Sequence, residues 1–368
     1  MEEIRYPFEV QFILGNLEED VPENLKKELL KIGDSLDIFQ LEDSAKIHIH
    51  TASPQKVQEI CQPFGEISDW SVEDMAVQVK AGQKKRYGLV VDEGADLPPW
   101  LVEQYGIKTV PFSYYFTEKE LSGSFYQKLR AAKQLPTTSQ PSPADFMEAY
   151  QAALETADQV IAITITSKLS GTFSSAKQGR ELLESAEGIH IIDSLNVTVG
   201  EALFVLKCCQ LIEESKEIEQ IKEDLEDFRD QIKVYAVLGN LKYIQAGGRI
   251  SENRILAGFI GKAINFLGKL GIRPLLVLKD GKVKVGGVKF FAFDLASLLA
   301  KQVKKTSPSG KIMVAISHAD NITGAEKLKE KIIKEMPQAE ILFISEIGLA
   351  LVCHTGPGAL AVAFHLAI

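Results

Sequence analysis

Residues 165–176 of this chain read ITSKLSGTFSSA: six hydroxyl side chains and one glycine between an apolar run and a helix-like segment. Ser170, Gly171 and Thr172 have the chemistry of a helix N-terminus that can hold an anion. A small hydroxyl meets the free N–H groups, a glycine lets another group approach the backbone, and the helix dipole favours negative charge. An ordinary capped helix would look the same on this stretch alone. Four further polar clusters stand where strands should end: Asp92, TTSQPS at 137–142, DSLNVTVG at 193–200 and HTGPGA at 354–359. In open α/β sheets the ligand crevice lies outside the carboxyl ends of the strands, so five such clusters predict a polar pocket there.

The clusters offer donors without an evident nucleophile–base pair. No G-x-S-x-G elbow is present, and six histidines in the whole chain assemble no obvious triad. The phosphate loop G-x-x-x-x-G-K-[ST] is absent, and GGR at 247–249 is a weak nucleotide signal. Holding an anion suits these residues better than attacking a substrate. Beside them runs a glycine-spaced apolar segment, RILAGFIGKAINFLGKLGIRPLLVL. Its Phe259, Ile260, Phe266, Leu267, Leu275 and Leu276 read either as plain core or as the wall of an apolar channel. A polar head-site next to an apolar channel is what an amphiphile with a carboxylate needs.

The elements that must position these residues fall into three blocks. Residues 1–80 read FEVQFIL (strand), ENLKKELLKIG (helix), SLDIFQLE and AKIHIHT (strands), SPQKVQEICQPFG (helix) and EISDWSVEDM (strand). That order, β-α-β-β-α-β, is a split βαβ unit, an α+β domain. KAGQKKR at 80–86 reads as a domain boundary. From Tyr87 the texture becomes α/β: YGLVVD, QVIAITIT, HIIDS and KVYAVLG are buried-strand runs separated by helices such as SPADFMEAYQAALETA. A first lobe at 86–240 with a mainly parallel sheet and a mixed α/β second lobe at 241–368 are expected. DGKVKVGG in the second lobe reads as a hairpin with a D-G turn.

At 368 residues, 45% hydrophobic and 25% charged, the chain is an ordinary globular composition with room for several cores. A net charge of -9 argues against a broad nucleic-acid surface. Four cysteines without C-x-x-C spacing fit a reducing cytoplasm. The opening MEEIRYPFEV is acidic, so no signal peptide is expected. GLALVCHTGPGALAVAFHLAI at 348–368 is mostly apolar, but His354, Gly356, Pro357 and Gly358 interrupt it near the middle. It reads as a buried strand, a tight polar loop and a terminal helix, not as a membrane span.

The ordered motifs DEGADLP (Asp92 to Pro98), VP at 110–111, TSQPS at 138–142, TSKLSGT at 166–172, DS at 193–194, GGRIS, RPLL and HTGPGA resemble the DegV family across roughly residues 86–368. The resemblance implies a two-lobed α/β fatty-acid-binding protein of bacterial type, several of which are the binding subunit of a fatty acid kinase that forms an acyl phosphate, a branch of phospholipid metabolism. It implies that Thr138, Ser170, Arg249 and His354 surround the carboxylate. Ser139, Gly171, Thr172, Thr355 and Gly356 complete those motifs, with the tail along Phe259, Ile260, Phe266, Leu267 and Leu275. Two positions depart from the pattern: Phe291 stands at the family's second arginine, and Glu93 and Gly94 replace its usual serines. Residues 1–80 resemble the middle domain of the dihydroxyacetone-kinase-like kinase subunit. His48 and His50 share a strand face there, as a metal pair could, but the family's further cysteine falls at Pro7. No metal and no cofactor are expected.

The first reading is therefore a long-chain fatty-acid-binding protein, not catalytic alone, that hands its ligand to a kinase partner. An enzyme of phosphoryl or acyl transfer using the same crevice is the second. A regulatory scaffold, with residues 1–80 dimerising or docking the kinase, is the third.

Overall fold

The computed structural model describes residues 5–17, 21–40, 43–74, 84–118, 121–240, 242–243, 271–307 and 311–366. The chain divides into two compact units, Met1–Lys84 and Lys85–Ile368.

In the first unit the strands β1 (Phe8–Gly15), β2 (Gly33–Gln40), β3 (Ala45–Thr51) and β4 (Glu66–Asp74) alternate with helices α1 (Glu23–Ile32) and α2 (Pro54–Cys61) in the expected order. They form one antiparallel sheet, β2-β3-β1-β4. The two-residue period puts Val10, Phe12 and Leu14 of β1 and Ile47 and Ile49 of β3 on the face that meets Leu25 and Leu29 of α1 and Val57 of α2. His48 and His50 lie on the opposite face, their ring centroids 5.1 Å apart. Their Nδ1 atoms are 3.8 Å from Glu9 and 3.6 Å from Asp34. Among the described residues no group of three or more His, Cys, Asp or Glu side chains could hold a metal ion.

The second unit contains the parallel sheet β10-β9-β5-β6, made of β5 (Lys85–Asp92), β6 (Lys108–Val110), β9 (Ala157–Thr164) and β10 (Ile189–Asp193). Helix α3 (Pro99–Tyr105) follows β5; α4 (Phe125–Ala131) lies between the short strands β7 (Ser113–Tyr115) and β8 (Thr137–Ser139), which pair with each other. Helices α5 (Pro143–Leu154) and α6 (Thr172–Glu181) cover one face, where Phe146, Tyr150 and Ala176 pack on Val90, Val160 and Ala162. The other face meets α7 (Val199–Glu213) and α8 (Ile218–Arg229). Ten residues of α7 are buried, because it lies between this sheet and a second one. The alanines Ala315, Ala361 and Ala363 on that second sheet leave room for it.

The second sheet is mixed, in the order β13-β12-β11-β16-β14-β15: β11 (Lys233–Val237), β12 (Arg273–Lys279), β13 (Lys282–Lys289), β14 (Ile312–His318), β15 (Glu340–Glu346) and β16 (Leu360–Leu366). Helices α9 (Leu295–Thr306) and α10 (Ile322–Glu335) cover its far side, and α11 (Leu349–Thr355) precedes β16.

Two expectations change. Residues 349–366, within the stretch expected as strand, loop and helix, run helix, loop, strand, the reverse of that order. The run LAVAF sits between β11 and β14 with both neighbours hydrogen-bonded, and a strand buried on both faces has the same unbroken apolar texture as a buried helix. KVYAVLG, expected with the first lobe's sheet, instead pairs antiparallel with β12 and β16. An apolar run carries no mark of which sheet it joins. Among the described residues no helix is long and apolar enough to cross a membrane.

Candidate functional site

Three of the five polar clusters converge in the second unit. β8 carries Thr138 and Ser139, the loop after β9 carries Ser170, and α11 carries His354. Together with Phe112, Gln140, Ile165, Ala350 and Leu351 they line a small cavity of about 10 Å³, close to the least space that admits one water. Thr138 Oγ1 and His354 Nε2 are 2.8 Å apart. Ser170 is 9% exposed, and its Oγ lies 2.7 Å from Thr172 Oγ1.

The helix start differs from the simplest capping picture. Gly171 is the N-cap residue of α6, and it has no side chain to cap with. Thr172 N reaches Ser170 Oγ only at 3.4 Å. A Cβ at position 171 would fall 2.4 Å from Gln140 Oε1, so glycine is required for the Gln140 amide to close over the turn and donate to Ser175 Oγ at 2.9 Å. Thr172 is fully buried behind Ser170 and lines neither cavity, so its hydroxyl supports the serine from within.

The remaining two clusters brace the loop from behind. Asp92 is buried at the end of β5; its Oδ1 accepts from Gly94 N at 2.8 Å and its Oδ2 from Ile165 N at 2.7 Å. Burial pushes its carboxyl up to about 7, against the pull of those two N–H donors. Asp193 accepts from Ser167 N at 3.2 Å and Leu195 N at 3.0 Å. Both carboxylates therefore fix the backbone that carries Ser170.

A larger cavity of about 130 Å³ adjoins the small one, sharing Ile165, Leu351 and His354 with it. Leu169, Val197, Leu238, Leu276, Leu278 and Val283 supply most of the rest of its apolar wall. Thr355 lines this larger space, with its hydroxyl donated to Leu351 O at 3.2 Å. Gly356 follows at φ 73°, and a Cβ there would fall 2.1 Å from the Tyr243 ring, itself part of the wall. Leu275, expected in the wall, packs instead among Leu299, Val303 and Leu360 on the far side of the sheet. A one-residue offset on a strand exchanges the two faces. Arg249, Phe259, Ile260, Phe266 and Leu267 lie outside the described residues. Phe291 is 78% exposed and lines neither cavity.

Sequence reasoning missed Phe112, Gln140, Ile165, Val197 and Leu351. Gln140 was the most accessible of these, standing inside TSQPS opposite a glycine-bearing turn; the apolar ones carry no local signal.

The family model of uncharacterised DegV-family proteins matches residues 86–366, and that of the middle domain of FakA-like fatty acid kinase proteins matches residues 5–82. A DegV domain-containing protein of Deinococcus radiodurans is 31% identical over 292 residues, covering 75% of this chain and 97% of that one. Another, of Clostridium acetobutylicum, is 31% identical over 288 residues, 75% and 97% of the two chains. The structure is similar to that of a DegV family protein from Thermus thermophilus described as binding fatty acid, with 27% identity, a TM-score of 0.66, and coverage of 77% and 100%. DegV of Bacillus subtilis, described as a fatty acid binding protein, aligns with 25% identity, a TM-score of 0.63, and coverage of 77% and 100%.

Proposed function

Because the chain belongs to the DegV family, we propose that it binds one long-chain fatty acid and hands it to an ATP-using kinase. The observation that carries this reading is the join between the two cavities. Ile165, Leu351 and His354 border both the hydroxyl-lined space and the apolar one, so one amphiphile can occupy the two together.

In this reading the carboxylate lies against Thr138, Ser139 and Ser170. His354 Nε2–H donates to Thr138 Oγ1, which leaves the Thr138 hydroxyl hydrogen for the carboxylate. Thr172 donates to Ser170 in the same sense, so both hydroxyls are turned outward as donors. The family resemblance assigns Arg249 of the GGRIS motif to this head-site as well. The tail supplies most of the affinity: about fourteen CH₂ groups at ~0.8 kcal/mol each, less the cost of association. The lobes at 86–240 and 241–368 hold the ligand between them, with β11 crossing into the second sheet.

The chain is not catalytic alone in this account. Residues 1–80, which match a domain of a fatty acid kinase protein, dock that kinase or pair two chains. All four cysteines are buried and free, in keeping with a cytoplasmic location.

The test is to denature the purified protein and weigh what is released. A long-chain fatty acid in about equimolar amount is expected. An empty protein that also fails to bind a fluorescent fatty acid overturns the reading, and release of a polar metabolite favours the transferase.

A further inference from the structure

The wall of the apolar cavity is not uniformly anchored. β12 pairs with β11 only through Leu275, Leu276 and Val277. Beyond Val277 the β12–β13 hairpin continues without that neighbour. Leu278 is paired with Val283 and Lys279 with Lys282, around a turn in which Asp280 and Gly281 have φ of 55° and 74°. Residues 278–283 therefore overhang the sheet, and β13 is its edge strand. Leu278 and Val283, the two apolar residues of the overhang, both line the cavity.

Both ends of this overhang are specialised. Two residue pairs inward from its root the β12–β13 register shifts: Leu275 faces Gly287 while Leu276 faces Val285, so Gly286 is an extra residue on the edge strand. Gly287 has φ 151° with open space where a Cβ would stand. A bulge made of two glycines bends more readily than regular strand. At its tip, Thr166 Oγ1 donates to Gly281 O at 2.9 Å in a buried bond. The same Oγ1 accepts from Lys168 N at 3.2 Å. Gly281 is buried, and a Cβ there would fall 2.6 Å from Thr166 Oγ1 and 3.1 Å from Leu195 and Lys168 side-chain atoms. Only glycine seats this turn on the loop that leads, four residues later, to Ser170.

Resting on the fatty-acid reading above, we infer that residues 278–283 form a flap over the tail cavity. It bends at the Gly286–Gly287 bulge and is latched by the Thr166 hydroxyl on the Gly281 carbonyl. The latch controls how fast a tail enters and leaves rather than how tightly it is held at rest. An apolar tail in a walled cavity exchanges only when a wall opens, and opening here breaks one buried hydrogen bond and separates Leu278 and Val283 from the cavity. The head-site hydroxyls do not have to move, and the β11–β12 pairing has to yield only at Leu276 and Val277, which lie between the bulge and the overhang.

Stopped-flow exchange of a fluorescent fatty acid, measured on the full chain, reads this directly. Thr166→Val removes the latch from the loop side and Gly281→Ala displaces it from the hairpin side. Loss of one hydrogen bond should raise association and dissociation rates together, by roughly three- to tenfold, with Kd changed about twofold or less. Thr166→Ser, which keeps the hydroxyl, should exchange like wild type. In the ligand-free protein, amide hydrogen exchange across 278–284 should accelerate in the first two variants only. Unchanged rates in both, a rise in dissociation alone, or an effect confined to Thr166→Val overturns the flap. The last pattern would mean that the Ser170 turn itself had been disturbed. A wild-type chain that binds no fatty acid removes the proposed function and the cargo assigned to the flap. Unaccelerated exchange at 278–284 in the variants removes the latch whatever the ligand.

Discussion

Two polar cavities sit near the carboxyl ends of strands in the second unit, and they are built from opposite chemistry. The smaller cavity, of about 10 Å³, sets hydroxyls, an amide and a histidine among Phe112, Ile165, Ala350 and Leu351. The other, of about 320 Å³, is lined by Asp92, Glu93, Asp96 and Glu346. Burial pushes Asp96 up to about 8 and Asp92 up to about 7. The larger cavity is the worse home for an anion, because the burial that disfavours the ionised forms of Asp92 and Asp96 disfavours another carboxylate beside them. Asp96 Oδ1 accepts from Gly348 N at 2.9 Å, tying the turn after β5 to the residue that opens α11. Under the proposed function, size does not choose the site: neutral donors backed by other hydroxyls can receive a carboxylate, whereas the buried acids here organise backbone.

The largest effect that could break this comparison is on stability against pH. Asp92 and Asp96 ionise near pH 4 in the unfolded chain but nearer 7 and 8 when folded. Their contribution is fully present below about pH 4 and is lost as pH rises through the folded values, by up to about 1.4 kcal/mol per pH unit for each group at the steepest. Chemical denaturation of the ligand-free protein between pH 4 and 8 should therefore show stability falling toward pH 8. Asp96→Asn should flatten that decline. An equal slope in the variant would mean that burial does not hold Asp96 protonated and that the acidic cavity tolerates negative charge.

The next effect sharpens the head cavity. Ser170→Ala should weaken a fatty acid about ten- to a hundredfold, the worth of a hydrogen bond to a charged group. The matching alcohol should be nearly unaffected, and the melting temperature of the ligand-free protein should hold. Equal loss of acid and alcohol would place the carboxylate elsewhere. A drop in melting temperature with unchanged binding would make Ser170 a cap.

The smallest effect tests whether the cavities are separate. Glu93 Oε2 accepts from Phe112 N at 3.0 Å, and Phe112 borders the head cavity, so this bond spans the two. Glu93→Gln keeps an acceptor and removes a charge. Acid binding should tighten about twofold or less, the scale of a partly exposed charge interaction. A gain of tenfold or more in calorimetric titration would show that the acidic cavity governs the head-site after all.

Much of this was legible along the chain because it is local. Alternation in FEVQFIL and AKIHIHT and the leucine spacing of α1 specified the first unit's β-α-β-β-α-β order. Continuous apolar runs marked β5 and β9 as buried parallel strands, and hydroxyl-rich segments marked where their ends would need capping or a ligand. D-G located the hairpin turn, since its two residues must adopt positive φ. Motif order carried the family, and the resemblance singled out Thr138, Ser170 and His354, which line one cavity. What only the tertiary structure decided is non-local. Whether LAVAF became helix or strand depended on β11 and β14 lying on either side. Which face Leu275 took depended on a register set by its neighbours, and which polar clusters line the small cavity, and which brace its loop while Val197 and Thr198 of one of them wall the apolar cavity, depended on where each strand end came to rest. Composition reports what a segment can bury or bond, and local period reports the shape it favours; the partner that fulfils either comes from elsewhere in the chain, and only folding supplies it.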